Sequence, residues 1–322
     1  MSGNIKAAGL GGGDSMGVSD ERWALPLTVF TTTYNRAHTL GRTYRSLQAQ
    51  TCFEFEWLVV DDGSTDGTED LVGEWMAESN PFRIRYDKVE ENEGLTRAYN
   101  RAFELAEGRL MLGCGSDDFL EPNACESVLR WESAIRDLPG YAGVAGACGD
   151  ADTGELLGNR FKGDFVDVSW FEVHKHGMVG DKAEALYTDI LRRHKYPEIE
   201  GERFIPELAL WFDIAAEGYK VRWRNEILVR VEYSADGISK NFDDTILENY
   251  RGFIYYTKKL LGYKQIDRVL KFKYVGYFAH ISHKKGICDR EACGSIGVSL
   301  PLYKLAKLLG RLRFEKLKSK SV

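Results

Sequence analysis

The chain's 322 residues can bury one large domain or two modest ones, and 43% hydrophobic with 29% charged residues is the make-up of an ordinary globular protein. A net charge of −6 argues against bulk nucleic-acid binding, so no nucleic-acid partner is expected. The six cysteines (Cys52, Cys114, Cys125, Cys148, Cys288 and Cys293) form no CxxC pair, which points to buried free thiols in a reducing cytoplasm rather than a zinc site or secretion.

Residues 1–22, rich in Gly, Ser and Asp, are expected to be disordered, with no signal peptide. Leu25 to Thr33 is a continuous apolar and β-branched run, the pattern of a strand buried on both faces of a parallel sheet. Arg36 to Gln50 reads as a helix through Leu40, Tyr44 and Leu47. Phe55 to Val60 is a second strand, and Thr65 to Ala77 a helix with Thr65 or Asp66 as N-cap. Ile84 to Tyr86 is a short strand; Leu95 to Ala106 is a helix stopped by Gly108. Arg109 to Gly113 is a strand and Pro122 to Ile135 a helix. Strands alternating with helices predict an α/β fold with a mostly parallel sheet. Tyr141 to Cys148 suits a core strand, and residues 150–180 read as loops. Ala183 to Arg193 is predicted as a helix, Pro206 to Gly218 as an amphipathic helix, and Lys220 to Tyr233 as two alternating strands. From Ile246 onward the pattern is helical, and no run is long and apolar enough to span a bilayer.

Two acidic pairs, Asp61-Asp62 and Asp117-Asp118, each follow an apolar strand. Ligands of open α/β sheets bind at the carboxyl ends of the strands. Two carboxylate pairs on one edge repel each other unless a cation or hydrogen-bond donors intervene. A divalent metal carrying a nucleotide diphosphate would supply that neutralisation, which points to chemistry on a nucleotide-sugar.

The segments TVFTTTYNR, SLQAQTCFEFEWLVVDDGSTDGT, NEGLTRAYNRAFELAEGRLMLGCGSDDFLEP and FIPELALWFDIAAEGYKV resemble inverting family 2 glycosyltransferases of the GT-A fold. The similarity runs over roughly residues 25–235. It implies a Rossmann-like domain over 23–240, with a nucleotide-binding half at 25–122 and an acceptor half at 140–235, followed by a helical extension over 241–322. It also implies roles for individual residues. Thr32 and Tyr34 would border the base and ribose, Asp62 would accept a hydrogen bond from the base, typically uracil, and Asp61 would support that turn. Asp117 would be a ligand of Mn2+ or Mg2+ in the metal-binding DxD element, followed by Asp118; Gly115 stands where the element's first Asp is expected. Glu207 matches the position of the base that deprotonates the acceptor hydroxyl, with Leu208 where many relatives have Asp and Glu202 as the alternative carboxylate. The implied partners are a nucleotide-sugar donor, UDP-linked, and a glycan or lipid-linked acceptor in surface polysaccharide assembly.

Other readings stand beside these. Glu207, after Pro206, also suits a helix N-terminus. Arg97 can reach phosphate or face solvent, and Asp181-Lys182 suits an acceptor motif or a helix start. His174 and His176 can hold a metal or phosphate, although loop histidines are commonly neither. Residues 300–322 combine a leucine stripe (Leu302, Leu305, Leu308, Leu309, Leu312) with Lys304, Lys307, Arg311, Arg313, Lys316, Lys318 and Lys320, the pattern of a helix lying on an anionic membrane surface at the inner face of the cell membrane, or packing on the protein instead. A sugar nucleotidyltransferase and a non-catalytic nucleotide-sugar binding module are the competing functions.

Overall fold

The computed structural model of the protein describes residues 22–234 and 237–318, with side chains through 310. Residues 1–21 of the segment expected to be disordered, and Lys320, lie outside the described residues. The strands are β1 (Leu25–Thr33), β2 (Phe55–Asp61), β3 (Arg83–Lys88), β4 (Gly108–Gly113), β5 (Phe119–Leu120), β6 (Tyr141–Asp150), β7 (Phe165–Val168), β8 (Lys182–Tyr187) and β9 (Lys220–Val231). They form one nine-stranded sheet in the order β3-β2-β1-β4-β8-β6-β9-β5, with β7 paired to β9. β1 to β4 are parallel; β8 runs antiparallel between β4 and β6, and β6 is parallel to β9.

The central strands form because their side chains can be buried on both faces. All seven residues of β2 are buried, and so are residues 27–31 of β1. Helices α1 (Ala37–Gln48), α2 (Thr68–Ala77), α3 (Leu95–Leu105), α4 (Ala124–Ser133), α5 (Thr188–Arg193) and α6 (Leu208–Ala216) flank the sheet. Tyr44 of α1 stacks on Trp75 of α2 with ring centroids 4.4 Å apart, and Trp57 of β2 lies beneath both. Two buried carboxylates, Glu56 near the amino end of β2 and Glu132 of α4, are fully paired. Glu56 accepts from Thr28 Oγ1 (2.8 Å), the Glu107 amide (2.7 Å) and Arg85 (3.2 Å). Glu132 accepts from Arg109 (3.2 Å), Arg136 (2.8 Å) and Tyr187 (3.2 Å).

Four expectations are corrected. Residues 183–187 are strand, not helix: KAEALY is rich in helix formers, but the slot between β4 and β6 selects the extended form. Residues 220–231 are one long strand rather than two, its register against β6 broken by irregularities. α2 begins at Thr68, after Gly67, so neither Thr65 nor Asp66 is its N-cap. Gly108 opens β4 instead of closing α3. The strand β7, in the stretch read as loops, had no periodic signal.

After residue 240 the chain is helical: α7 (Phe242–Glu248), α8 (Tyr250–Gly262), α9 (Arg268–Lys284), α10 (Asp289–Ser295) and α11 (Leu300–Lys318). α9 and α11 cross where Gly276 meets Ala306 and Gly310. The close approach is set by Gly276, where a Cβ would lie 3.0 Å from the Ala306 carbonyl oxygen. No described helix is long and apolar enough to cross a membrane. Cys114, Cys125, Cys148 and Cys293 are buried free thiols, Cys52 is half-buried and Cys288 exposed.

Candidate active site

The site lies at the carboxyl ends of β1, β2 and β4. β1 sits between the other two, so its end, Thr32 to Tyr34, separates the two acidic turns. Asn35 adopts the left-handed conformation (φ 53°), which Asn tolerates, and its side-chain carbonyl accepts the Thr65 amide at 2.8 Å. Its own amide donates to Ser64 Oγ at 2.8 Å. The loops after β1 and β2 are thereby locked together. Thr32 is half-buried and Tyr34 is 46% exposed, an aromatic face open to solvent at the sheet edge.

Asp61 and Asp62 are both buried and both hydrogen-bonded. Asp61 accepts from the Ser64 amide (2.7 Å) and from Tyr86 Oη. Asp62 accepts the Glu93 and Gly94 amides, each at 2.8 Å, one on each oxygen. Burial pushes the Asp62 carboxyl up, and these two amides pull it back. Asp62 thus fixes the entry to α3. Gly94 has φ 97° and lies against Arg203, where a Cβ would come within 2.4 Å of the arginine Cβ. The contact continues into the segment before α6: the Thr96 amide donates to the Arg203 carbonyl (3.3 Å), and the Ile205 amide to Thr96 Oγ1 (3.0 Å). A run of hydrogen bonds therefore connects Asp62 with the segment that carries Glu207.

Asp117 and Asp118 follow β4. Asp117 accepts from Ser234 Oγ at 3.2 Å, and Arg42 donates to its backbone carbonyl. Asp118 accepts the Glu232 amide at 3.1 Å. Burial, reinforced by the charge of Asp117, pushes the Asp118 carboxyl up to about 7. A Cβ at position 115 would lie 2.5 Å from Asp118 Oδ2, so the Asp118 carboxylate fills the space where a longer residue 115 would begin. Among the described residues no group of three or more His, Cys, Asp or Glu side chains forms a protein-only metal site. Each acidic pair meets hydrogen-bond donors of its own, one of the two means of offsetting their repulsion. Asp117 and Asp118 nonetheless form a carboxylate pair short of positive charge, a donor set that suits a hard cation completed by phosphate oxygens.

Glu207 caps the amino end of α6 and is open to solvent, yet walls of protein crowd it. That crowding, with a contribution from Asp181, pushes its carboxyl up, against a 3.4 Å hydrogen bond from Tyr99 Oη. Tyr99 and Glu207 line one small recess with Leu95, Thr96, Phe204 and Ile205, and burial, with the charge of Glu207 next, pushes the Tyr99 hydroxyl well up. Glu184, on β8, was missed in the sequence because residues 183–187 read as helix. Burial, with the charge of Glu207, pushes it up to about 8, and Trp170 Nε1 donates to it at 3.5 Å. Trp170 stacks on Trp211 of α6, centroids 5.5 Å apart. Asp181 accepts from Tyr233 Oη at 2.6 Å, and Lys182 opens β8 rather than a helix.

Other candidates are engaged elsewhere. Glu202 is buried and accepts the Gly252 amide (2.8 Å) and Arg251 Nε (3.2 Å), holding α8. Arg97 donates to the Glu93 carbonyl at 3.0 Å and lies 3.6 Å from Glu198. His174 lies 3.7 Å from Asp267. An open groove of about 560 Å3, lined by His38, Arg42, Arg45, Trp75 and Glu232, adjoins the site only through Arg42 and Glu232.

Residues 28–137 match the family model described as glycosyl transferase family 2. TuaG of Bacillus subtilis, assigned to teichuronic acid biosynthesis as a glycosyltransferase, is 26% identical over 68% of this chain and 83% of its own length. WfaP of Escherichia coli, a UDP-Glc:alpha-D-GlcNAc-diphosphoundecaprenol beta-1,3-glucosyltransferase, is 24% identical over 80% of this chain and 95% of its own. Against EpsH of B. subtilis the chain spans 46% of the relative's length, at 28% identity. In structure it resembles TarS of S. aureus in complex with UDP-GlcNAc, with a TM-score of 0.57 over 81% of this chain and 73% of that one, at 15% identity. These relatives set aside the nucleotidyltransferase and non-catalytic readings. The α/β sheet with its carboxylate-lined edge is that of the GT-A fold, and residues 28–137 are those of a family 2 glycosyltransferase.

Proposed function

We propose that the enzyme transfers a sugar, with inversion, from a UDP-sugar to a hydroxyl of a glycan or lipid-linked acceptor in surface polysaccharide synthesis. The observation that carries this is two kinds of carboxylate held by the same framework: the Asp117–Asp118 pair at the end of β4, and Glu207 at the start of α6, whose preceding segment is hydrogen-bonded to the start of α3 that Asp62 fixes. One carboxylate belongs to a pair suited to a metal-diphosphate, the other to an exposed helix start where an acceptor can reach it. The UDP-GlcNAc complex of TarS and the UDP-glucose donor and diphosphoundecaprenol acceptor in the name of WfaP support the donor and acceptor classes.

In this reading Tyr34 offers its exposed ring to the base and Thr32 its hydroxyl to the nucleoside. Asp62 keeps a second lone pair on each oxygen for a base N–H while its amide partners hold it in place. Asp117 and Asp118 would hold Mn2+ or Mg2+, which offsets the charge of the departing diphosphate. Glu207 takes the proton of the acceptor hydroxyl. Its raised pKa makes it a stronger base than an ordinary carboxylate, closer to the balance that proton transfer near neutral pH requires. Glu184 and the Trp170–Trp211 pair flank the acceptor side.

The test is UDP release from a panel of UDP-sugars, with the anomeric configuration of the product read by NMR. Glu207→Gln should keep its affinity for UDP and lose about 10²- to 10⁴-fold in turnover, because proton transfer alone is removed. Retained configuration, or normal turnover in this variant, overturns the assignment.

A further inference from the structure

α11 meets the described protein along one arc of its surface. Tyr303 and Ala306 are fully buried, and Gly310 lies against Gly276 of α9. The leucines take no part in this packing: Leu302, Leu305, Leu308 and Leu309 remain 44%, 50%, 58% and 47% exposed. The helix is thus anchored by its small residues and one tyrosine, while its largest apolar side chains form a separate solvent-facing arc. Exposed leucines scattered singly are unremarkable, but four within eight positions of one helix form a patch of the kind that marks a contact surface.

The charge around that patch says what can cover it. Residues 300–322 carry seven Lys or Arg against Glu315, a net +6, whereas the whole chain is −6, so the remaining 299 residues carry −12. Lys304 is exposed, while Lys307 is drawn to Asp289 at 2.5 Å. A second copy pairing through the same helix would bring two strongly basic segments together. An anionic surface meets them with opposite charge, and an apolar arc on a segment this basic in sequence matches the boundary between headgroups and acyl chains.

We propose that α11 docks the protein on an anionic lipid bilayer, its leucine arc inserted at the interface and its basic residues among the headgroups. The contact is independent of the transfer reaction, so it stands or falls by a binding measurement alone. Full-length protein is sedimented with phosphatidylcholine vesicles, and with vesicles of phosphatidylcholine mixed with phosphatidylglycerol. Pelleting should be several-fold greater on the anionic vesicles and should fall with added salt. The variant Leu305→Ser/Leu308→Ser/Leu309→Ser, altered only at exposed positions, should lose most of that binding with an unchanged circular dichroism melt. Lys304→Glu should weaken binding on anionic vesicles. Equal or absent pelleting on both vesicle types overturns the proposal, as does full binding by the leucine variant. Light scattering that shows a dimer, turned into a monomer by the leucine variant, would assign the arc to a second copy and overturn it too.

Discussion

Single carboxylates in this site differ sharply in what surrounds them, and their behaviour should differ accordingly. Among the described residues the Asp117 carboxylate accepts one hydrogen bond, from Ser234 Oγ at 3.2 Å. Asp117→Ala should weaken UDP binding measured by calorimetry in the presence of Mn2+, by about ten-fold or more, and chelation should weaken wild-type binding similarly while leaving the variant unmoved. Equal affinities in all these conditions would remove the metal from the reading. Glu184 makes a different prediction. Its folded pKa of about 8 lies above its ordinary 4.5. Between these values the folded chain retains a proton that the unfolded chain has released, so stability declines as pH rises through that window, and the penalty is complete above it. Glu184→Gln removes the titration. It should melt a few degrees above wild type near pH 9, with the advantage gone near pH 4. An advantage independent of pH would show that packing, not charge, is responsible. That Asp61-Asp62 and Asp117-Asp118 end buried strands was legible from the apolar runs before them; the place of Glu184 was not, because a glutamate in a helix-forming stretch carries no local sign of the strand it will join.

The elements that matter most are the short ones between regular structure. Gly94 joins the Asp62 turn to α3, and its positive φ and the backbone of Arg203 leave no room for a side chain. Gly94→Ala should cost about 2–4 kcal/mol in denaturant unfolding. It should also lower turnover, since the displaced segment leads to Glu207. Unchanged stability would mean that the loop accommodates a methyl group and is not the rigid connection described. Glu202 shows how far a local pattern misleads. In the sequence it is an acid five residues before Glu207 and the fallback candidate for the base; in the fold its carboxylate accepts the Gly252 amide and holds α8.

For the molecule as a whole, the helical region after residue 240 is tied to the segment 203–205 that precedes Glu207. The side-chain carbonyl of Asn249, buried at the start of α8, accepts the amides of Arg203 (2.6 Å) and Phe204 (3.1 Å). With Thr96 on the other side, the segment 203–205 is gripped between α3 and α8. The proposed division near residue 240 is therefore one of sequence pattern, while the segment preceding Glu207 depends on residues beyond it. Asn249→Ala leaves two buried amides without a partner and should cost about 2 kcal/mol in stability. Because the Glu207 side of the site loses its support, kcat should fall more than UDP affinity. A loss confined to UDP affinity would break the proposed link.

What the chain determined by itself was everything encoded in short repeats. Apolar runs marked β1, β2 and β4, helical spacing marked α1, and acidic turns directly after buried strands marked the edge where the candidate site lies. These signals are local because burial of a strand or helix face depends on residues a few positions apart. The tertiary structure alone decided which residues meet across 31 positions, as Asp62 and Glu93 do, or across 109, as Thr96 and Ile205 do. It decided that residues 183–187 are extended, because the gap between two strands outweighs helix propensity. It also decided which side of α11 is buried: Gly276 lets the backbones approach so closely that Ala306 and Gly310 fill the contact and the leucines are left outside.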